Sequence, residues 1–81
     1  MNERDIVRGI MRMQGKTYAD MAAALGYKRY TNVQAVLTRD TRMGCGTLIQ
    51  FLDELGYDLV IRSREGDAEY VVSGEERERK E

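Results

Sequence analysis

Thr17 to Arg39, led by Lys16, reads as two short helices joined by a glycine-containing turn, and the rest of the chain reads as what holds or dimerises that pair. The Thr17 hydroxyl can accept from the free amides of a first helical turn, and Met21, Ala22 and Leu25 follow at helical spacing. Gly26 supplies the stop, because the residue just past a helix often takes a positive φ that glycine adopts without a Cβ penalty. Tyr27 to Tyr30 then bridge to a second cap, expected at Thr31. From there Val33, Val36 and Leu37 lie three and four apart and face the first helix, leaving Asn32, Gln34, Ala35, Thr38 and Arg39 outward.

That outward face is unlike a plain solvated one. Solvated helix faces favour Glu and Lys four apart, whereas this face carries amides and a hydroxyl, the groups that hydrogen-bond to base edges. Lys28 and Arg29 precede the helix and Arg39 and Arg42 follow it, placed to reach phosphates on either side of a groove. The pattern predicts a helix-turn-helix whose recognition helix, Thr31 to Thr38, enters the major groove of double-stranded DNA. Asn32 and Gln34 are the leading base readers, with Ala35 and Thr38 beside them; Thr17, Lys28, Arg29, Arg39 and Arg42 are the phosphate candidates.

The runs TYADMAAALGY, TNVQAVLTR and TLIQFLDELGYDLVIR resemble the lambda-repressor-like (XRE-type) helix-turn-helix family of phage and bacterial regulators, over roughly residues 3 to 62. The resemblance implies that Ala22 allows close helix packing, that Gly26 makes the turn, and that Val33 and Val36 are the apolar contacts of the second helix. It also implies a mainly α fold: a bundle of four to five helices followed by a C-terminal β-hairpin. The turn departs from the family's commonest form by one extra residue between Gly26 and Val33, which makes Tyr30 and Thr31 alternative base readers.

At 81 residues the chain is one domain with a small core, for which a dimer partner is the natural supplement. No run approaches the ~20 apolar residues of a membrane span. The polar opening Met1 to Asp5 shows no signal-peptide pattern, so a cytoplasmic location is expected. Cys45 is the single cysteine and there is no histidine, so neither a disulfide framework, a zinc site nor a histidine base is expected. Asp53 and Glu54 diverge on a helix and make no carboxylate dyad. A non-enzymatic protein without cofactor or metal is therefore the expectation. Net charge is −1, but residues 1–15 carry three basic and two acidic groups, residues 16–50 five and two, and residues 51–81 five and ten. Phosphate contact needs a local basic stripe rather than overall charge.

In chain order, Asn2 caps a first helix with the apolar stripe Ile6, Ile10 and Met13, ended by Gly15. Arg4, Arg8 and Arg12 form a second stripe, read as a solvated face with grazing DNA contact as the sharper alternative. Asp40 to Gly46 is turn-like. From Thr47 a further helix gathers Leu48, Phe51, Leu52 and Leu55 on one face and closes at Gly56. Periodicity then changes to two, and Glu65-Gly66-Asp67 separates two strands. A two-residue Gly66-Asp67 loop predicts Arg64 opposite Glu69 and Ile61 opposite Val72. The expected layout is thus a helical DNA-binding domain over 1–56, a dimerising hairpin over 57–73 and a charged disordered tail over 74–81. Phe51, Leu55, Leu59, Ile61, Tyr70 and Val72 are the expected homodimer interface, which would space two recognition helices about 34 Å apart.

Two functions follow. The first is a dimeric, sequence-specific DNA-binding transcriptional regulator of phage or mobile-element type, repressor or antitoxin. The second uses the same fold to bind a protein partner, for instance as a phage-encoded, anti-CRISPR-like inhibitor of a host defence nuclease.

Overall fold

The computed structural model describes residues 2–39 and 42–72. Over these ranges the chain forms α1 (Glu3–Gln14), α2 (Tyr18–Leu25), α3 (Tyr30–Thr38), α4 (Cys45–Leu55) and an antiparallel hairpin of β1 (Leu59–Arg62) and β2 (Glu69–Val72). It is mainly helical with a C-terminal hairpin, as the periodicities predict. Asp40 and Thr41 of the expected turn, Ser73, and the expected tail over 74–81 lie outside the described residues.

Local signals account for most helix ends. Asn2 Oδ1 accepts from the Asp5 amide at 2.9 Å and Thr17 Oγ1 from the Asp20 amide at 3.1 Å, while each aspartate returns a bond to the cap residue's own N–H. These reciprocal boxes satisfy first-turn donors that the helix itself leaves free. Gly26 takes φ 83° and its N–H donates to the Ala22 carbonyl, which is the left-handed stop expected there.

Where burial competes with a local signal, burial wins. Helix α3 begins at Tyr30 with Arg29 extended as N-cap, not at a Thr31 cap. A cap is worth only about 1 kcal/mol, and the earlier start secures a helical turn ahead of Val33 and Leu37, both fully buried. Helix α4 begins at Cys45, two residues before the expected Thr47, so Gly46 sits inside it. Its glycine penalty of about 1 kcal/mol is offset by burial of Ile49, which the sequence reading omitted, alongside Phe51, Leu52 and Leu55.

The inner face of α1 also differs from expectation. Val7, Ile10 and Met11 are buried together with Arg4, while Ile6 is 45% and Met13 77% exposed. The stripe is rotated so that the Arg4 side chain is buried within it, with its guanidinium reaching α3. There Arg4 Nε donates to the Val36 carbonyl at 2.6 Å, and Arg8 Nη1 donates to the Leu37 carbonyl. Both carbonyls belong to the last turn of α3, where a helix lacks its own donors and where its dipole favours cations. The arginine row is therefore not simply a solvated or DNA-grazing face: two of its three members terminate α3. At the opposite end of α1, Gln14 Nε2 donates to the Leu55 carbonyl of α4 at 2.8 Å.

Val7, Met21, Val33, Leu37 and Phe51 form the fully buried centre of the core. The Tyr27 ring meets Phe51 at 6.1 Å with a 52° tilt, tying the α2–α3 turn to α4. Leu59 is half-buried against this core, whereas Ile61 and Tyr70 stand 57% and 65% exposed. The hairpin register pairs Leu59 with Val72, Val60 with Val71, Ile61 with Tyr70 and Arg62 with Glu69, two residues away from the expected one. Ser63 explains the shift. Its N–H donates to the Ala68 carbonyl, and its Oγ accepts from the Glu65 and Gly66 amides, building a longer loop than a Gly66-Asp67 turn. A two-residue slip preserves the faces, so opposite charges still meet, as Arg62 with Glu69.

Arg4→Met keeps the buried stem and removes the donor, and should destabilise the fold by on the order of 1.5–3 kcal/mol in urea unfolding, with faster amide exchange at the end of α3. An unchanged midpoint would remove Arg4 from this role. Ala22, buried at the α2–α3 crossing, should tolerate Ala22→Leu only at a cost of about 1–3 kcal/mol from overpacking; a Leu variant as stable as wild type contradicts that placement.

Candidate nucleic-acid interface

Helix α3 presents two contrasting faces. Val33 and Leu37 are fully buried and Val36 is half-buried, while Asn32, Gln34, Ala35 and Thr38 are exposed, as their spacing predicts. Tyr30 and Thr31 are exposed in the first turn, Tyr30 at 56%. Thr38 donates its hydroxyl proton to the Gln34 carbonyl at 2.7 Å, so towards any ligand it is an acceptor only. Asn32 and Gln34 keep both amide functions on the outer face.

Helix α3 runs for nine residues, about 13 Å, and an α-helix with its side chains, ~10–12 Å across, fits the roughly 12 Å width of a B-DNA major groove. Lys28 and Arg29 sit exposed at its N-terminal end and Arg39 at its C-terminal end. No acidic side chain lies in its first turn, and no side chain caps it. The Asn32 N–H is taken by the Arg29 carbonyl at 3.1 Å, which leaves the Tyr30 and Thr31 amides beside two cations, an arrangement suited to phosphate oxygens.

Two phosphate candidates are less free. Arg42 is exposed but lies 3.6 Å from the Glu3 carboxylate, which also accepts the Met43 N–H at 2.8 Å. Thr17 has its N–H and its hydroxyl oxygen engaged in the α2 capping box, and Asp20 places a carboxylate at that helix end. The hydroxyl proton of Thr17 remains its one group for a phosphate. Beside it, Arg8, Arg12, Lys16 and Tyr18 line a cleft of about 320 Å³. Lys16 was not singled out from sequence, although a cation next to a helix-capping threonine and one turn after Arg12 is a readable signal.

Phe51 is fully buried and Leu55 nearly so, in the core of a single copy. Both are therefore corrected from interface to core. Leu59 and Val72 are half-buried, and Ile61 and Tyr70 remain on the surface.

Among the described residues no acidic, cysteine or histidine group is arranged to hold a metal ion, and no helix is long and apolar enough to cross a membrane. Cys45 is exposed in the first turn of α4. Comparison with protein-family models, with curated proteins and with solved structures finds no match for this chain.

Among the described residues, two carboxylates lie below their ordinary value. Glu3 is lowered chiefly by the Met43 backbone N–H, and Asp20 by the backbone N–H of Thr17 and then its hydroxyl. A folded-state value below the unfolded one gives stability that is present above the ordinary carboxylate range and is lost as pH falls through the lowered values. Glu3→Gln combined with Asp20→Asn should therefore lower the urea midpoint at neutral pH and flatten its further loss on acidification. An acid limb as steep as that of wild type would contradict this.

Proposed function

We propose that the chain is a sequence-specific DNA-binding transcriptional regulator of the lambda-repressor-like helix-turn-helix type, from a phage or mobile element, acting as a two-fold dimer. The observation that carries this reading is the outer face of α3. It offers neutral donors and acceptors from Asn32 and Gln34, contains no carboxylate, and is bracketed by Lys28 and Arg29 at one end and Arg39 at the other.

In this reading α3 lies in the major groove with Asn32 and Gln34 at base edges, an amide being able to pair bidentately with adenine. Tyr30, Thr31 and Ala35 approach the neighbouring base pairs, and Thr38 accepts. Lys28, Arg29 and Arg39 hold the strands on either side, and Thr17, Arg12 and Lys16 meet the backbone at the start of α2. The firm seat of α3 supports the assignment, since base readout needs side chains fixed to within a fraction of an ångström: Val33 and Leu37 are buried, and Arg4 and Arg8 hold its last turn.

Amides discriminate between bases while cations attract any duplex, so the two groups should respond differently to substitution. In a selection from random DNA followed by titration at stated salt, Gln34→Ala should cost on the order of 1–3 kcal/mol on the preferred site and relax its sequence preference. Arg39→Ala should weaken all duplexes alike and lower the salt slope by about one. Unchanged binding in both variants would sink the assignment of α3, and absence of DNA binding by wild type would leave a protein partner as the function.

A further inference from the structure

Both edges of the hairpin are unpaired among the described residues. The Ser63–Ala68 backbone bond sets the alternation of the ladder, so Ile61 and Leu59 turn their N–H and C=O groups towards β2, whereas Val60 and Arg62 turn theirs outward. Among the described residues, neither Val60 nor Arg62 bonds through its backbone to another segment. Such an edge, flanked by exposed apolar side chains, is a template for a further strand. Val60, Ile61, Tyr70 and Val71 are all between 45% and 65% exposed.

The residues along this edge say which strand fits. Asp58 and Arg62 stand two residues either side of Val60, so the edge is complementary in charge to its own antiparallel copy. We propose that β1 pairs with β1 of a second copy, with Val60 on the two-fold axis. This specifies the contact of the dimer invoked in the proposed function and is itself independent of DNA.

In that register Asp58 of each copy faces Arg62 of the other, and Val60 faces Val60. The outward backbone groups of the two strands meet directly, as an antiparallel ladder requires. Each Arg62 then lies between Glu69 of its own hairpin and Asp58 of the second copy. On the opposite face Val72, Leu59, and then Ile61 and Tyr70 of the second copy, form one apolar row, repeated by symmetry. Ile61, exposed in one copy, is placed beside Leu59 of the other, next to a groove of about 210 Å³ that Leu59 shares with Ile6, Ile10, Leu52 and Tyr57. The next register allowed by the same backbone alternation, with Ile61 on the axis, sets Val60 against Arg62 and matches poorly. On the β2 edge, with Tyr70 on the axis, Glu69 would face Val71 and gain no opposite charge.

The test is sedimentation equilibrium of the full chain without DNA. Wild type should be a dimer at micromolar concentration. Asp58→Arg and Arg62→Asp each set like charges opposite one another twice per dimer, and each alone should weaken the dimer roughly tenfold or more. Mixed in equal amounts they form a heterodimer in which every facing pair is opposite in charge, and wild-type affinity should return. A monomeric wild type, or a mixture no tighter than its components, overturns the proposal. Arg62→Asp also meets Glu69 within its own hairpin, so a second measurement avoids charge. In a Cys45→Ser background, Val60→Cys should oxidise to a covalent dimer, since facing residues of a hydrogen-bonded pair lie about 5.5 Å apart, and Val71→Cys should not; the reverse result overturns the β1 edge. A monomeric wild type that still shows the Gln34→Ala effect on DNA overturns this contact alone, and a dimeric wild type with no Gln34→Ala effect overturns the DNA reading alone.

Discussion

The polar side chains of α1 finish the backbone hydrogen bonding of two other helices, and the position of α3 depends on this. The last carbonyls of a helix have no partner within it, and those of α3 at Val36 and Leu37 lie against α1 in a part-buried position. Arg4 and Arg8 reach the Val36 and Leu37 carbonyls, and Gln14 reaches Leu55 at the end of α4. A buried guanidinium is costly to desolvate unless it is bonded. Because Arg4 is only 5% exposed, α1 and α3 each need the other's groups to be satisfied.

The helix N-termini divide into closed and open ends. Those of α1 and α2 carry capping boxes that add an aspartate to the positive end of the dipole, which satisfies them internally and makes them poor places for an anion. Helix α4 has no side-chain cap, but Glu3 binds the Met43 N–H just ahead of it. At α3 the nearest charges are Lys28 and Arg29. That end of α3 thus carries neither a side-chain cap nor a carboxylate in its first turn.

Much of this was readable from sequence wherever the deciding interaction was local. Asn2, Thr17, Gly15, Gly26 and Gly56 act within one turn of themselves, and each does what its chemistry predicts. The two faces of α3 followed from spacing alone. What could not be read was decided by partners distant in the chain. Arg4 counts as polar in any periodicity, so the buried face of α1 was assigned to Ile6 and Met13 instead of Val7 and Met11. Cys45 and Gly46 look like a turn until the burial of Ile49 requires helix before it. Phe51 and Leu55 appear as suitable for an interface as for a core, and only the three-dimensional packing places them inside. The hairpin register turned on the hydroxyl of Ser63, a residue too common in loops to signal a loop length.

The bonds of α1 span long stretches of chain: 32 residues from Arg4 to Val36, 40 from Glu3 to Met43 and 41 from Gln14 to Leu55. By contrast α2 and α3 are neighbours in sequence, joined by a turn that Gly26 closes. During synthesis α1 is complete early yet has nothing to terminate until α3 has been made, and its second anchor waits for the end of α4. Loop-closure entropy opposes such distant contacts before their packing rewards them. Local signals thus specify the central pair, while the leading helix is held by contacts that close long stretches of chain.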